Sequence, residues 1–340
     1  MHWHMPLMGD KMTEVVPPAP EAVMQQTYNV LIGLWMNNFA ENLPFIRSGK
    51  SITDIPRREG EPCICVGAGP SLASYQHLLM IKKHKWKHPI LVCDKVFVKA
   101  LKKNLNPYVV ASADGSPLIA DYYRHALIKN NKTFYAALNS TIHPEVRKLL
   151  PPEQTYWFVS ILDSLTTPEG KPNRYSITYL LYLLSGKKAA ISSIGNVGSF
   201  LWNLAAEWKC DPIILVGYDF SEQVKDKSEA VYFNAFTNMF LQQYLPKDST
   251  PSEDVMKEAI KKAQDSAADM HQVEKNPDFG TYYLVNPMWK RYREILKEHI
   301  IANKNLHIIN ATGNGCLHTE AIQSPNFEAL NLKDVLKKYG

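Results

Sequence analysis

Eight short apolar runs constrain the fold of this chain more than any other feature. They are Cys63–Val66, Ile90–Cys93, Tyr108–Ser112, Thr133–Ala137, Tyr156–Val159, Ala189–Ile191, Ile213–Val216 and Leu306–Ile309. Runs this short and this uniformly apolar read as strands buried on both faces. Stretches with helical spacing, such as Val96–Lys103 and Ser199–Trp208, lie between several of them. The alternation predicts an α/β chain with a Rossmann-like, mostly parallel sheet and helices on both faces. In such sheets ligands sit beyond the carboxyl ends of the strands.

That rule selects residues. Gly67, Gly69, Pro70 and Ser71 follow the first run, Asp94 the second and Asp114 the third. Asn139 and Ser140 follow the fourth. Ser193, Gly195, Asn196 and Gly198 follow the sixth and open a helix. Asp219 follows the seventh, and Asn310, Thr312 and Gly313 follow the last. Taken singly, an aspartate or asparagine after a strand is a helix cap or a turn former. Gathered on one rim, glycine loops and carboxylates offer backbone donors to an anion, a sugar or a base edge.

The most pointed of these stretches is Cys63-Ile64-Cys65-Val66-Gly67-Ala68-Gly69-Pro70-Ser71-Leu72. It reads as a strand, a tight turn and a helix start. Glycine lets the backbone turn sharply and come close to a ligand, and Pro70 suits the first helical position. The free N–H groups of a first helical turn favour an anion, most often a phosphate. The stretch lacks the third glycine of a dinucleotide-binding fingerprint and the Gly-Lys-Ser/Thr of a P-loop. The expectation is that an anionic nucleotide tail rests on bare amides here. Amides capped by the protein's own side chains would remove it.

The chain has 340 residues and a formal net charge of +5, enough to admit an anionic ligand and too little to argue for nucleic acid. The five cysteines are odd in number, which points to a reducing, cytoplasmic setting. Cys63 and Cys65 share a strand face, but no second Cys/His pair stands at zinc spacing, so buried thiols are expected. No run suggests a membrane span, and the start at Met1-His2-Trp3-His4 does not read as a signal peptide.

Residues 1–59 read as a proline-rich arm followed by a helical prefix over Glu21 to about Asn42, with Val23, Tyr28, Leu31, Leu34 and Trp35 at helical spacing. The prefix packs on the main domain or on a partner, a homo-oligomer included. Residues 60–320 form the main domain. Residues 222–280 break its alternation as a mainly helical insertion, with an amphipathic helix over Asp254–Asp269, a lid or acceptor platform beside the ligand edge or a plain structural flap. Asn286 and Pro287 read as an N-cap and first turn, and residues 321–340 as a tail whose Phe327–Tyr339 forms a final helix.

Gly67-Ala68-Gly69-Pro70-Ser71-Leu72 resembles the signature of the MptE-like family, which includes 6-hydroxymethylpterin diphosphokinases and Maf-type motility-associated glycosyltransferases. It is also similar to the Gly-x-Gly-Pro-Ser-Leu opening of bacterial sialyltransferases. Three further segments resemble Maf-type ones in the same order: Ser193–Gly198, Ile213–Phe220 and Asn310–Gly315. The resemblance runs from about Glu61 to His318. The chain departs from the pterin kinases at Ser112-Ala113-Asp114-Gly115, where one of two aspartates is missing, and it lacks their two later motifs.

The resemblance implies a transferase using a nucleotide-activated donor, a CMP-linked sugar of the nonulosonate kind, with an unknown acceptor. The alternatives are transfer of pyrophosphate from ATP to a hydroxymethyl pterin, with Mg²⁺, and a nucleotide-binding scaffold without turnover. The Gly67–Ser71 loop would hold the donor phosphate, and the Ser193–Gly198 and Asn310–Gly315 loops the nucleotide or sugar. Asp94 and Asp114 would contact ribose, base or metal. Sugar transfer needs a base for the acceptor hydroxyl and neutralisation of the departing phosphate. Asp114, Asp219 and His318 are the candidates for that work.

Overall fold

The computed structural model describes residues 21–131, 133–167, 169–193, 195–224, 272–285 and 287–340. The expected arm over residues 1–20, the helix over Asp254–Asp269, the cap at Asn286 and the side chains of Val23 and Tyr28 lie outside what is described.

The strands are β1 (Lys50–Ser51), β2 (Cys63–Val66), β3 (Ile90–Cys93), β4 (Val109–Ser112), β5 (Tyr135–Asn139), β6 (Thr155–Ser160) and β7 (Ala190–Ile191). They continue with β8 (Ile213–Val216), β9 (Glu222–Val224), β10 (Gln272–Lys275), β11 (Tyr282–Val285), β12 (Ile308–Asn310) and β13 (Phe327–Ala329). The main sheet runs β1-β6-β5-β4-β3-β2-β8-β12-β13, with β7 alongside β6. Its pairings are all parallel. Every residue of β2, β3, β4 and β8 is buried, as strands covered on both faces require. The helix Val197–Glu207 lies against β2, β3, β4 and β8 and stacks Phe200 on Phe158 at 4.2 Å.

The strand order decides where a ligand crevice can open. From β2 the chain builds outward through β3, β4, β5 and β6, then returns to place β8 on the other side of β2. The direction reverses between β2 and β8, and the carboxyl ends of these two strands flank the switch point.

Two expectations are corrected. The prefix helix runs Glu21–Ser48, past Asn42 and through Pro44. Its Phe39 and Ile46 belong to the same core as the sheet, so its second half packs on the main domain, one of the two placements expected. Asn38 Nδ2 donates to the carbonyls of Gly115 and Thr141, and Asn42 Nδ2 to those of Ser140 and Ile142. These bonds dock the helix on the loops after β4 and β5. Second, Phe327 begins β13, because the open edge of β12 offers a parallel partner and a buried place for its ring; the final helix is Leu332–Tyr339. Of the expected insertion, residues 225–271 lie outside what is described; β9 and β10 flank them and join β11 in an antiparallel sheet. Among the described residues, no helix is long and apolar enough to cross a membrane.

Candidate functional site

The loops after β2 and β8 meet at the switch point, and their glycines face one another. A Cβ on Gly67 would lie 2.5 Å from the Gly217 carbonyl oxygen, and one on Gly217 would lie 2.6 Å from that of Gly67. Gly217 also has φ +72°, which favours glycine on conformational grounds. At Gly69 the space of a Cβ is taken by Asp219, whose Oδ2 stands 1.9 Å from that position.

Asp219 closes the loop. Its Oδ1 accepts the Ser71 N–H at 3.1 Å and its Oδ2 accepts the Ser71 hydroxyl at 2.7 Å. The neighbouring amides are also engaged: Gly67 N–H on Val216, Gly69 on Gly217, Leu72 on Gly69 and Ala73 on Pro70. The expectation of bare amides waiting for a phosphate is therefore not met. The glycines admit the partner strand's loop and its carboxylate, an anion supplied by the chain itself. Burial pushes the Asp219 carboxyl up to about 7 despite the two Ser71 donors, and the nearby Glu222 charge adds to the rise.

Asp94 is the first residue of the helix Asp94–Lys102. Its Oδ1 accepts the Lys95 N–H at 2.7 Å and its Oδ2 accepts the Ser112 hydroxyl at 2.7 Å. With the Ser112 proton so placed, the Tyr123 hydroxyl donates to Ser112 at 2.8 Å. Burial raises the Asp94 carboxyl to about 6, with the Asp114 charge contributing. Asp114 itself is exposed and accepts the Ser116 N–H at 2.9 Å, a turn-forming bond. Among the described residues no three carboxylate, histidine or cysteine side chains gather as a metal set, and both Asp94 oxygens are occupied. All five cysteines are buried free thiols.

The remaining glycine loops interlock around β8. Thr312 Oγ1 accepts the Tyr218 N–H at 3.1 Å, and Asn310 steadies the loop by accepting the Thr312 N–H and donating to the Leu317 carbonyl. Gly313 lies against the Tyr75 ring. The Tyr218 hydroxyl donates to the Gly198 carbonyl at 2.8 Å. Asn196 caps the helix Val197–Glu207 by accepting the Ser199 N–H, Gly195 accepts the Tyr292 hydroxyl, and the Ser193 hydroxyl donates to Ser160. Ile194 lies outside the described residues.

His318 follows the last glycine loop and opens a short helix. Its Nδ1 accepts the Ala321 N–H, capping the helix Thr319–Ile322, which leaves the ring proton on Nε2, 3.4 Å from the Tyr283 hydroxyl. That hydroxyl donates to Glu274 Oε2 at 2.6 Å. Burial, then the Arg293 charge, lowers the imidazole's pKa. Its recorded polar partners lie in its own helix turn and the small antiparallel sheet, with neither Asp219 nor Asp114 among them.

The structure thus brings Gly67, Gly69, Ser71, Asp219, Thr312 and Gly313 together where the loops after β2, β8 and β12 meet, and sets Asp94 and Asp114 one and two strands beyond β2 along the rim. Sequence reasoning missed Tyr75, whose hydroxyl accepts Gln223 Nε2 at 3.3 Å, and the Tyr218 clasp. Tyr218 directly follows a strand-ending glycine, a signal that was available. Tyr75 and Gln223 carried none.

A parallel α/β sheet whose strand order reverses between β2 and β8 defines the class. A family model described as 6-hydroxymethylpterin diphosphokinase MptE-like matches residues 37–225, more than half of the chain, and the chain belongs to that MptE-like family. In sequence, none of the curated proteins compared with it matches. Among solved structures it is similar to a Maf glycosyltransferase from Magnetospirillum magneticum AMB-1, with a TM-score of 0.55 and 15% identity. The likeness covers 92% of this chain and 42% of that one, and at this identity it concerns the fold.

Proposed function

We propose that this chain is a transferase acting on a nucleotide-activated donor, with glycosyl transfer from a CMP-linked sugar as the reaction. The observation that carries this reading is the Asp219–Ser71 pair at the switch point. A buried carboxyl held near neutrality is suited to take a proton from an acceptor hydroxyl. For that it must swing off Ser71. The same movement turns the Ser71 N–H and O–H toward an incoming anionic group, so one displacement frees a base and two donors. Asp94 follows the strand two along from that of Asp219, and we assign it to the ribose hydroxyls of the donor, which would have to compete with its Lys95 and Ser112 donors. His318 is assigned a structural role.

The family description favours a second reading, transfer of pyrophosphate from ATP to a hydroxymethyl pterin. Under it Asp94 and Asp114 would hold Mg²⁺ together with the ATP phosphates. A third reading is nucleotide binding without turnover.

Thermal shift with CMP, UDP, ATP and GDP, each with and without Mg²⁺, separates these. Stabilisation by CMP that Asp219→Asn alters supports the transferase, provided transfer to an acceptor panel follows. Stabilisation by ATP that depends on Mg²⁺ supports the diphosphokinase. Binding with no transfer supports the scaffold, and no response to any nucleotide overturns all three.

A further inference from the structure

The helix Ile177–Leu184, with the sequence Ile-Thr-Tyr-Leu-Leu-Tyr-Leu-Leu, contains no charged residue and buries one side, through Thr178, Leu181 and Tyr182. On the other side Leu180, Leu183 and Leu184 remain 52%, 42% and 42% exposed, and Tyr175 ahead of the helix is 97% exposed. The leucines fall at i, i+3 and i+4, so they form one stripe. A helix apolar all round is one that is covered all round, and a contiguous exposed apolar patch marks an interaction surface.

The ends of the stripe say what covers it. Lys171 and Arg174 are exposed in the segment before the helix, and Lys187 is exposed just after it. The exposed acid in this stretch is Glu169. Asp163 is occupied in capping the helix, accepting from Ser176, Ile177 and Thr178. A second copy packed antiparallel about a two-fold axis would set the Arg174 end of one helix beside the Lys187 end of the other, like charge against like. An anionic bilayer surface matches the pattern. Leucine and tyrosine enter the boundary between headgroups and acyl chains, and flanking cations meet the headgroup phosphates.

We propose that the edge formed by Tyr175, Leu180, Leu183 and Leu184 docks this protein on an anionic lipid surface. The helix lies on the bilayer and does not span it. The segment bearing Lys171 and Arg174 leaves the carboxyl end of β6 and the helix returns to the start of the parallel β7, so docking lays this edge of the sheet along the headgroups.

The test is co-sedimentation of the 340-residue chain with phosphatidylcholine vesicles and with vesicles carrying about one quarter phosphatidylglycerol. The expected result is binding to the anionic vesicles, weaker by at least about tenfold on neutral vesicles and in high salt. Leu180→Glu/Leu183→Glu and Lys171→Glu/Arg174→Glu should each lose at least about tenfold in binding. The charge variant alters only exposed side chains, so it keeps the test alive if the leucine variant misfolds, and circular dichroism checks both. No sedimentation with anionic vesicles overturns the proposal. So does binding that a folded variant retains, or a concentration-dependent dimer in light scattering with no vesicle binding.

Discussion

The carboxylate of Asp219 holds Ser71 twice, at the hydroxyl and at the backbone N–H, across the switch point of the sheet. The pair joins the loop after β2 to the loop after β8. It fills the space that a glycine-rich turn would otherwise leave to a ligand.

Asp219 and Asp94 should each make stability fall as pH rises toward neutrality, against the opposite slope of His77, whose imidazole burial holds down to about 4. Its carboxyl is held up to about 7 and that of Asp94 to about 6, burial being the first cause in both. Unfolded, both return to about 4. The folded chain then keeps protons that the unfolded chain has released. The stabilisation is complete below about pH 4 and is lost as pH climbs through about 7. Asp219→Asn removes its share. In urea unfolding, the variant should gain on the wild type by a few kcal/mol between these limits. A difference that does not change with pH would contradict the assignment.

Two glycine-to-alanine substitutions should act in opposite directions. At Gly69 the new Cβ meets the Asp219 carboxylate and, at 2.7 Å, the Gly217 carbonyl oxygen, so Gly69→Ala should cost at least about 2 kcal/mol. Gly33 lies in the prefix helix with nothing within 4 Å of a Cβ, so Gly33→Ala should stabilise by about 0.5–1 kcal/mol. Denaturation midpoints measured side by side decide both.

His318 should behave as a cap. His318→Ala should cost about 1 kcal/mol, and His318→Asn should recover most of it, because asparagine can accept the same helix-start N–H. Nucleotide affinity by calorimetry should be unchanged in His318→Asn. A large loss of binding with stability intact would restore His318 to the ligand site.

The prefix helix should depend on its buried asparagines. Asn38→Ala strips a donor from the carbonyls of Gly115 and Thr141 and should cost about 2–3 kcal/mol. Hydrogen exchange should show the helix and the loops after β4 and β5 losing protection together. Loss confined to the helix would show that it is not coupled to the rim.

Much of the sheet was legible because strand signals are local. Runs such as Ile213–Val216 declare themselves by apolar continuity and by the glycine that follows. One element was misread where the deciding partner was remote: Phe327–Ala329 becomes a strand because β12 offers an edge. Within the candidate site, the residue types on the rim were visible and their partners were not. His318 sits close after the last glycine loop in sequence, yet its ring is taken by Ala321 and Tyr283.

Composition and spacing along the chain were enough to set a parallel α/β sheet, its strand candidates and the rim where polar loops collect, since each depends on a few neighbouring residues. The purpose of Gly67 and Gly69 was not open to that reading. Their Cβ space is filled by Gly217 and Asp219, and Ser71 meets its carboxylate partner 148 residues away. A contact across that interval leaves no periodic trace in the chain, and it forms only when β8 is laid beside β2.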